Sequence, residues 1–77
     1  MVKTEELSNP NSCMSRAKDH EWTFVLLARD VTAPDTIRWW AHERLRLGKN
    51  KPEDEQIKEA FRCAALMEEQ RAAGGLK

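Results

Sequence analysis

The 77-residue chain lacks tyrosine, and it has only two cysteines, three glycines and three prolines. Its longest uninterrupted apolar run, from Phe24 to Ala28, is far shorter than the about 20 residues that a membrane-spanning helix needs. The N-terminus also lacks the basic and then apolar pattern of a secretory signal. These absences predict a protein that does not enter a membrane and that stays in the cytoplasm, where thiols remain reduced.

Charge of neither sign is in excess, because 13 Lys and Arg residues balance 13 Asp and Glu residues. This balance argues against a protein that coats nucleic acid along its whole surface. Hydrophobic residues make up 40% of the chain, which is too many for a fully disordered protein, and 77 residues are too few for two cores. The composition predicts one small domain of marginal stability, since a chain of this size buries only roughly 60% of its unfolded surface.

Motifs for catalysis and metal binding are also missing. The chain has no Gly-rich phosphate loop, no H-E-x-x-H and no Ser/His/Asp or Cys/His constellation. A metal site could be drawn only from Cys13, His20, His42 and Cys63, and no pair of these has the C-x2-C or H-x3-H spacing of a metal site. We therefore expect a binding protein and not an enzyme, with no metal and no cofactor.

Three segments follow one another along the chain. Residues 1–19 are polar and turn-rich and follow no period, which predicts a flexible N-terminal tail. Residues 20–73 carry the aromatic, β-branched and periodic apolar residues, and they form the predicted single domain. Residues 74–77 begin with two glycines and predict a flexible C-terminus.

Residues 22–29 are predicted to form a strand. This run is rich in aromatic and β-branched side chains, is bounded by charges, and has the length of a strand rather than of a helix. Both of its alternating faces are largely apolar. The alternative is that the same residues form a third helix in a monomeric bundle.

Two helices are predicted after the strand, one from about Ala33 to Leu47 and one from about Pro52 to Ala73. Both starts place a capping side chain, a proline and a carboxylate in the order that helix N-termini favour, first in residues 32–35 and again in residues 50–53. A glycine follows each helix and ends it. Each helix carries an inward apolar stripe, and the short link makes the two helices antiparallel neighbours.

A single strand leaves its backbone N–H and C=O groups without partners, and the sequence contains no second strand. Two chains would solve this problem if their strands paired antiparallel about a two-fold axis. We therefore predict an α+β fold (βαα), with one N-terminal strand before the helix pair, that pairs across a homodimer or a higher even oligomer. The alternative is an all-α three-helix bundle. The predicted dimer interface comprises Trp22, Phe24, Val25, Leu26, Leu27 and Trp40.

The strand–helix–helix order resembles that of the ribbon-helix-helix DNA-binding proteins. In that family the outward strand residues are typically polar or basic, and they read the major groove. Neither alternating face of residues 22–27 offers a set of side chains that can hydrogen-bond to base edges. DNA is therefore a less favoured partner than a small ligand or a protein.

The candidate binding site lies on the first helix, where residues 38–51 contain five basic residues and one acid. Adjacent Trp39 and Trp40 cannot both point inward, because neighbouring helical residues lie about 100° apart. Trp40 belongs to the apolar stripe, so Trp39 lies at its edge, where it could stack a base while nearby cations hold a phosphate. The predicted ligand-binding residues are Arg38, Trp39, His42, Arg44, Arg46 and Lys49.

Two alternatives stay open for these residues. Trp and Arg are also common anchors of protein interfaces, so the same face could bind a protein. The second helix is acidic, so the charges could instead complement each other between neighbouring helices or subunits. Exposed pairs of that kind contribute only about 0–1 kcal/mol each.

The stretch F-x-L-x-A-x-D-x-x-A-P-x-x-I-x-x-W-A, from Phe24 to Ala41, resembles a group of short uncharacterised proteins of bacteriophages and prophages. The resemblance covers about residues 22–69 and brings no catalytic motif. It implies an accessory protein made in the cytoplasm of a host bacterium, where such proteins often block a defence effector or bind a nucleotide signal. We expect an oligomeric, non-enzymatic protein that binds an anionic ligand such as a signalling nucleotide. The alternatives are a module that blocks a host protein and a ribbon-helix-helix-like DNA-binding dimer.

Overall fold

The computed structural model of the chain describes residues 2–8 and 13–74, and within them every regular element is a helix. The N-terminal part holds two short helices, α1 (Lys3–Ser8) and α2 (Cys13–Arg16). Two longer helices follow, α3 (Ala33–Arg46) and α4 (Glu55–Ala72). α3 packs on α4 and α1 contacts α2, while no helix of one pair contacts a helix of the other within these residues.

The predicted βαα fold is wrong, because residues 2–8 and 13–74 contain no strand. Residues 21–27 are neither strand nor helix, and the backbone groups of Trp22 to Leu26 make no backbone hydrogen bond in the described chain. Side-chain type favours an extended segment here, but a strand exists only when another strand pairs with it. The all-α alternative fits the fold class, although residues 21–27 do not supply its third helix.

The segment predicted as a tail, residues 1–19, contains α1 and α2 in its described part. The Ser8 hydroxyl donates to the Thr4 carbonyl oxygen at 2.7 Å inside α1, and the Ser15 hydroxyl donates to the Glu6 carbonyl oxygen at 3.5 Å across the two helices. These are exposed contacts, and no residue of α1 is buried. The flexibility predicted for both termini stays a prediction.

α3 begins where the sequence predicts and ends one residue earlier, at Arg46. Thr32 is the N-cap residue, but its side chain makes no capping hydrogen bond. Its hydroxyl and its backbone N–H both donate to the Asp30 carboxylate, at 2.7 and 2.9 Å. Asp30 therefore organises the turn that leads into α3. Gly48 follows the helix with φ of 70°, the left-handed conformation that favours glycine after a helix end.

α4 begins three residues later than the sequence predicts, at Glu55 instead of Pro52. The predicted cap, Asn50, serves the interhelical turn: it accepts a hydrogen bond from Arg44 Nε at 2.6 Å and donates to the Asp54 carboxylate at 3.0 Å. That carboxylate also accepts the backbone N–H of Lys51 at 3.0 Å. These bonds hold residues 50–54 in a turn, and Asp54 becomes the N-cap residue of α4.

The core lies between α3 and α4 and is made largely of alanine. Ala41 and Ala64 are fully buried, and Ile57, at 2% exposed, is the only large side chain among the described residues that is fully buried. Partly buried side chains pack around the centre of this core: Ile37, Leu45 and Phe61. Small side chains leave little apolar area between the two helices, so this helix pair has a thin core for a chain of this length.

Candidate binding surface

The outer side of α3 presents Trp39 to solvent. Helical spacing places it opposite Ala41, which is fully buried, and 65% of its surface is exposed. Three residues follow it on the same side at spacings of three, four and seven: His42, Glu43 and Arg46. The sequence places Trp39 at the edge of the apolar stripe, and in the structure its side chain lies outside the buried core. The exposed indole is the central feature of this surface.

Arg38, a predicted ligand-binding residue, is held by carboxylates of its own chain. Its guanidinium donates to both oxygens of Glu68 on α4, through Nη2 to Oε1 and through Nη1 to Oε2, the latter at 3.0 Å. It also reaches Asp35, one turn earlier on α3, at 3.3 Å. The hydrogen bonds from Arg38 hold the pKa of Glu68 below its usual range. Arg38 therefore ties the two helices together.

Arg46 is likewise paired, with Glu43 one turn earlier on α3. Its Nε and Nη2 donate to the two carboxylate oxygens, each at 2.8 Å. These hydrogen bonds lower the pKa of Glu43, so the carboxylate stays charged at neutral pH. A bidentate pair of this kind occupies the Nε–Nη2 edge of the guanidinium, which is one of the edges that could meet a phosphate.

Arg44 contacts the other tryptophan. Its guanidinium carbon lies 5.8 Å from the ring centroid of Trp40, within the range of a cation–π contact. Its Nε is used by Asn50, and its carbonyl oxygen accepts the backbone N–H of Lys49 at 3.0 Å. Trp40 is 37% exposed, so it lies at the border of the core and not inside it. Arg44 thus links the last turn of α3 to the turn that follows it.

The remaining two predicted ligand-binding residues lie apart from each other. The His42 ring meets the edge of Phe61 on α4, with ring centroids 5.2 Å apart and an interplanar angle of 64°. Lys49 is exposed in the turn after α3. The structure therefore leaves Trp39 largely in solvent, whereas the sequence placed it at the edge of the apolar stripe, and most of the predicted cations are paired within the chain. Three of them are already engaged by carboxylates, an amide or an aromatic ring.

A groove of about 570 Å³ forms a second feature, separate from Trp39. It lies between α1, the irregular segment 21–27 and the helix pair. Its apolar wall includes Leu7, Leu26, Ile37, Cys63 and Met67. These side chains come from α1, from segment 21–27 and from α3 and α4. The groove is therefore an unfilled space between the N-terminal part of the described chain and the α3–α4 pair.

Sequence spacing contains a signal for some of these contacts. Asp35 and Glu43 precede their arginines by three residues, and Arg44 follows Trp40 by four, which are the spacings of neighbours on a helix surface. These spacings alone indicate that Arg38, Arg44 and Arg46 each have a partner on the same helix. Glu68 lies 30 residues from Arg38, and no local pattern identifies it.

The Arg38–Glu68 pair predicts a pH dependence of stability. Because the pKa of Glu68 is lowered by the Arg38 hydrogen bonds from its ordinary value of 4.5, its contribution is present above pH 4.5 and is lost as the pH falls through the lower folded value. We expect E68Q to lose less stability than the wild type between neutral pH and acid, as measured by urea unfolding at several pH values. Asp30, Glu43 and Asp54 also have lowered pKa values, so part of the acid sensitivity stays in the variant.

Glu69 offers a matched control, since it is exposed, adjacent to Glu68 and in no ion pair among the described residues. E69Q is expected to keep the pH profile of the wild type. An E68Q profile that parallels the wild type over the whole acid range would contradict the role assigned to this pair.

The described residues 2–8 and 13–74 contain no helix long and apolar enough to span a lipid bilayer. In the same part of the chain, no three His, Cys, Asp or Glu side chains come close enough to hold a metal ion. Comparison with protein-family models, curated proteins and solved structures finds no match to this chain.

Proposed function

We propose that this chain is a non-enzymatic protein-interaction module, and that its partner-binding surface is the outer side of α3 around Trp39. One contrast carries the proposal: the indole of Trp39 is 65% exposed, while Arg38 and Arg46 beside it are neutralised by carboxylates. An exposed aromatic side chain whose nearby basic residues on the helix are already paired suits an apolar pocket on another protein. It suits a phosphate poorly.

The anionic-ligand hypothesis is the weaker one on the same geometry. A nucleotide phosphate would have to displace Glu68 from Arg38 or Glu43 from Arg46, and each of these pairs is bidentate. Lys49 lies in the turn beyond α3 and would act alone. The ribbon-helix-helix alternative fails, because residues 22–27 form no strand and hence no ribbon.

The resemblance to short phage proteins adds a biological setting to this proposal. Such a protein is made in the cytoplasm of a host bacterium, and the partner is then a host protein whose function the module blocks. The Arg46–Glu43 pair would lie at the rim of the contact, where it supports orientation more than affinity. Trp39 supplies most of the binding energy.

The test compares wild type with W39A in binding to a bacterial host protein. The full chain is immobilised, the retained protein is identified and purified, and its Kd is measured by calorimetry. Loss of a buried interface tryptophan removes about 2 kcal/mol or more, so W39A should bind at least about 30-fold more weakly. The matched control is L47A, which removes another exposed apolar side chain (56%) beside the same helix. L47A should bind as the wild type does.

Salt and nucleotides separate the competing hypotheses. Protein binding through Trp39 should change little between about 50 and 200 mM salt, whereas phosphate binding should weaken steeply. ATP and a cyclic dinucleotide serve as the anionic probes. Binding of either probe with a steep salt dependence would contradict the proposal, as would a host partner whose Kd W39A leaves unchanged.

A further inference from the structure

The chain exposes more surface than a compact monomer of its mass. Its accessible surface is 6441 Å², whereas a folded monomer of 8.9 kDa exposes roughly 4,800 Å². The excess is roughly 1,600 Å², and a standard protein interface removes only about 800 Å² from each partner. The chain therefore has enough uncovered area for a large interface in addition to the Trp39 surface.

The most exposed aromatic side chains of the described chain are next to the groove and not beside Trp39. Trp22 is 98% exposed and Phe24 is 86% exposed, and both belong to the irregular segment 21–27. Val25 and Leu27 of the same segment are 58% and 49% exposed. Four such side chains in six residues form a patch of the kind that monomeric proteins rarely leave in water.

The groove next to this patch is its apolar complement. Phe24, Val25 and Leu27 of segment 21–27 line the groove together with Ile37, Cys63 and Met67 of the helix pair. Helical spacing places two further apolar residues near this lining: Trp40, three residues after Ile37, and Leu66, three residues after Cys63. One chain thus presents both a row of protruding apolar side chains and an open apolar groove.

Charge does not oppose the association of two copies. The chain carries 13 basic and 13 acidic residues, so two copies have no net repulsion. The groove itself is bordered by one base and one acid, Lys3 and Glu6. The side chains of the remaining wall residues are predominantly apolar, so the desolvation cost of covering these side chains is small.

We infer that the occupant of this groove is a second copy of the same chain. Two copies related by a two-fold axis each insert Trp22 and Phe24 into the groove of the other, so the same surface serves as donor and acceptor. The contact is side-chain packing and does not need the strand pairing that the sequence suggested. It also supplies the apolar burial that the alanine-rich core of one chain lacks.

This inference is independent of the proposed partner surface, because Trp39 lies on the outer side of α3 and the groove does not include it.

Sedimentation equilibrium of the full chain at about 1 to 200 µM measures the self-association directly. The wild type should show twice the 8.9 kDa of one chain. The double variant W22S/F24S should raise the dimer dissociation constant by on the order of 10,000-fold, about tenfold for each of the four anchors that the dimer loses. V31S and W39A, which change exposed side chains outside the groove, should leave the mass unchanged.

A second measurement uses the wild-type surface and so does not depend on how the double variant folds. Cys63 lines the groove, and with Cys13 changed to serine its reaction with a maleimide reports whether the groove is covered. The reaction should slow as the protein concentration rises through the dimer dissociation constant. A mass of one chain at every concentration would overturn the inference, and so would Cys63 reactivity that stays constant over concentrations at which the mass changes from one chain to two. A mass that grows beyond two chains would also overturn it, because it would indicate open association without two-fold closure.

Discussion

Replacing Ile57 by alanine should lower the free energy of unfolding by about 2–5 kcal/mol, the usual cost of truncating a buried isoleucine. Ile57 is 2% exposed and is the one large side chain at the centre of the described α3–α4 core. Its immediate buried neighbours, Ala41 and Ala60, are too small to fill the space that the change leaves. In a small domain, whose stability is of the order of 5–15 kcal/mol, this loss would remove a large part of the total free energy of unfolding.

Urea unfolding followed by circular dichroism measures this change. All variants are compared at one protein concentration, because self-association would make the apparent stability depend on it. I57V should cost only about 0.5–1.5 kcal/mol, and V31A, which truncates a side chain that is 65% exposed, should cost no more than about 0.5 kcal/mol. An I57A loss as small as that of V31A would mean that α3 and α4 do not pack through Ile57.

The second large effect is expected from Ala64→Asp. Ala64 is fully buried on α4, and a carboxylate placed there would have no partner, which costs about 3–5 kcal/mol. The variant should be largely unfolded at neutral pH and should regain helix content in mild acid, because protonation removes the buried charge. Circular dichroism across a pH series measures both parts of this expectation.

The neighbouring residue provides the control for this prediction. Ala65 is exposed on the same helix, so Ala65→Asp introduces the same side chain into water. It should cost only the difference in helix propensity, less than about 1 kcal/mol. Equal losses at the two positions would place Ala64 outside the core.

The sequence predicts the helix pair well, because the signals that define it are local. α3 begins at Ala33 as predicted, and Gly48 and Gly74 have the positive φ that ends a helix. α4 starts late because Asn50 is used by Arg44 and Asp54 in the turn, and that choice depends on the end of the preceding helix. The local sequence pattern shows roughly where a helix begins, while hydrogen bonds across the turn decide which residue becomes its N-cap.

The strand prediction failed for a different reason. Residues 22–27 have the side chains of a strand, but the propensity for β structure reflects packing and pairing with neighbours more than a preference of the isolated backbone. The described chain gives them no strand to pair with, so they remain irregular and exposed. The apolar composition of residues 22–27 indicates that the segment has surface to bury. It does not indicate which backbone conformation the segment adopts.

At the candidate site, the sequence locates Trp39 but not the state of the cations around it. The exposure of Trp39 follows from its position beside Trp40 in a helix. Whether a basic residue is available to a ligand depends on its ion pairs, and the partner of Arg38 on α4 is distant in sequence. The basic helix therefore resembles an anion site in composition, while its geometry favours a protein contact.

The three tryptophans of this chain lie in three different surroundings. Trp22 is 98% exposed beside the groove, Trp39 is 65% exposed on the outer side of α3, and Trp40 is 37% exposed beneath Arg44. Since the chain has no tyrosine, its fluorescence arises almost wholly from these indoles. Changing them one at a time to phenylalanine gives a set of label-free optical probes, each reporting on a different surface of the same small molecule.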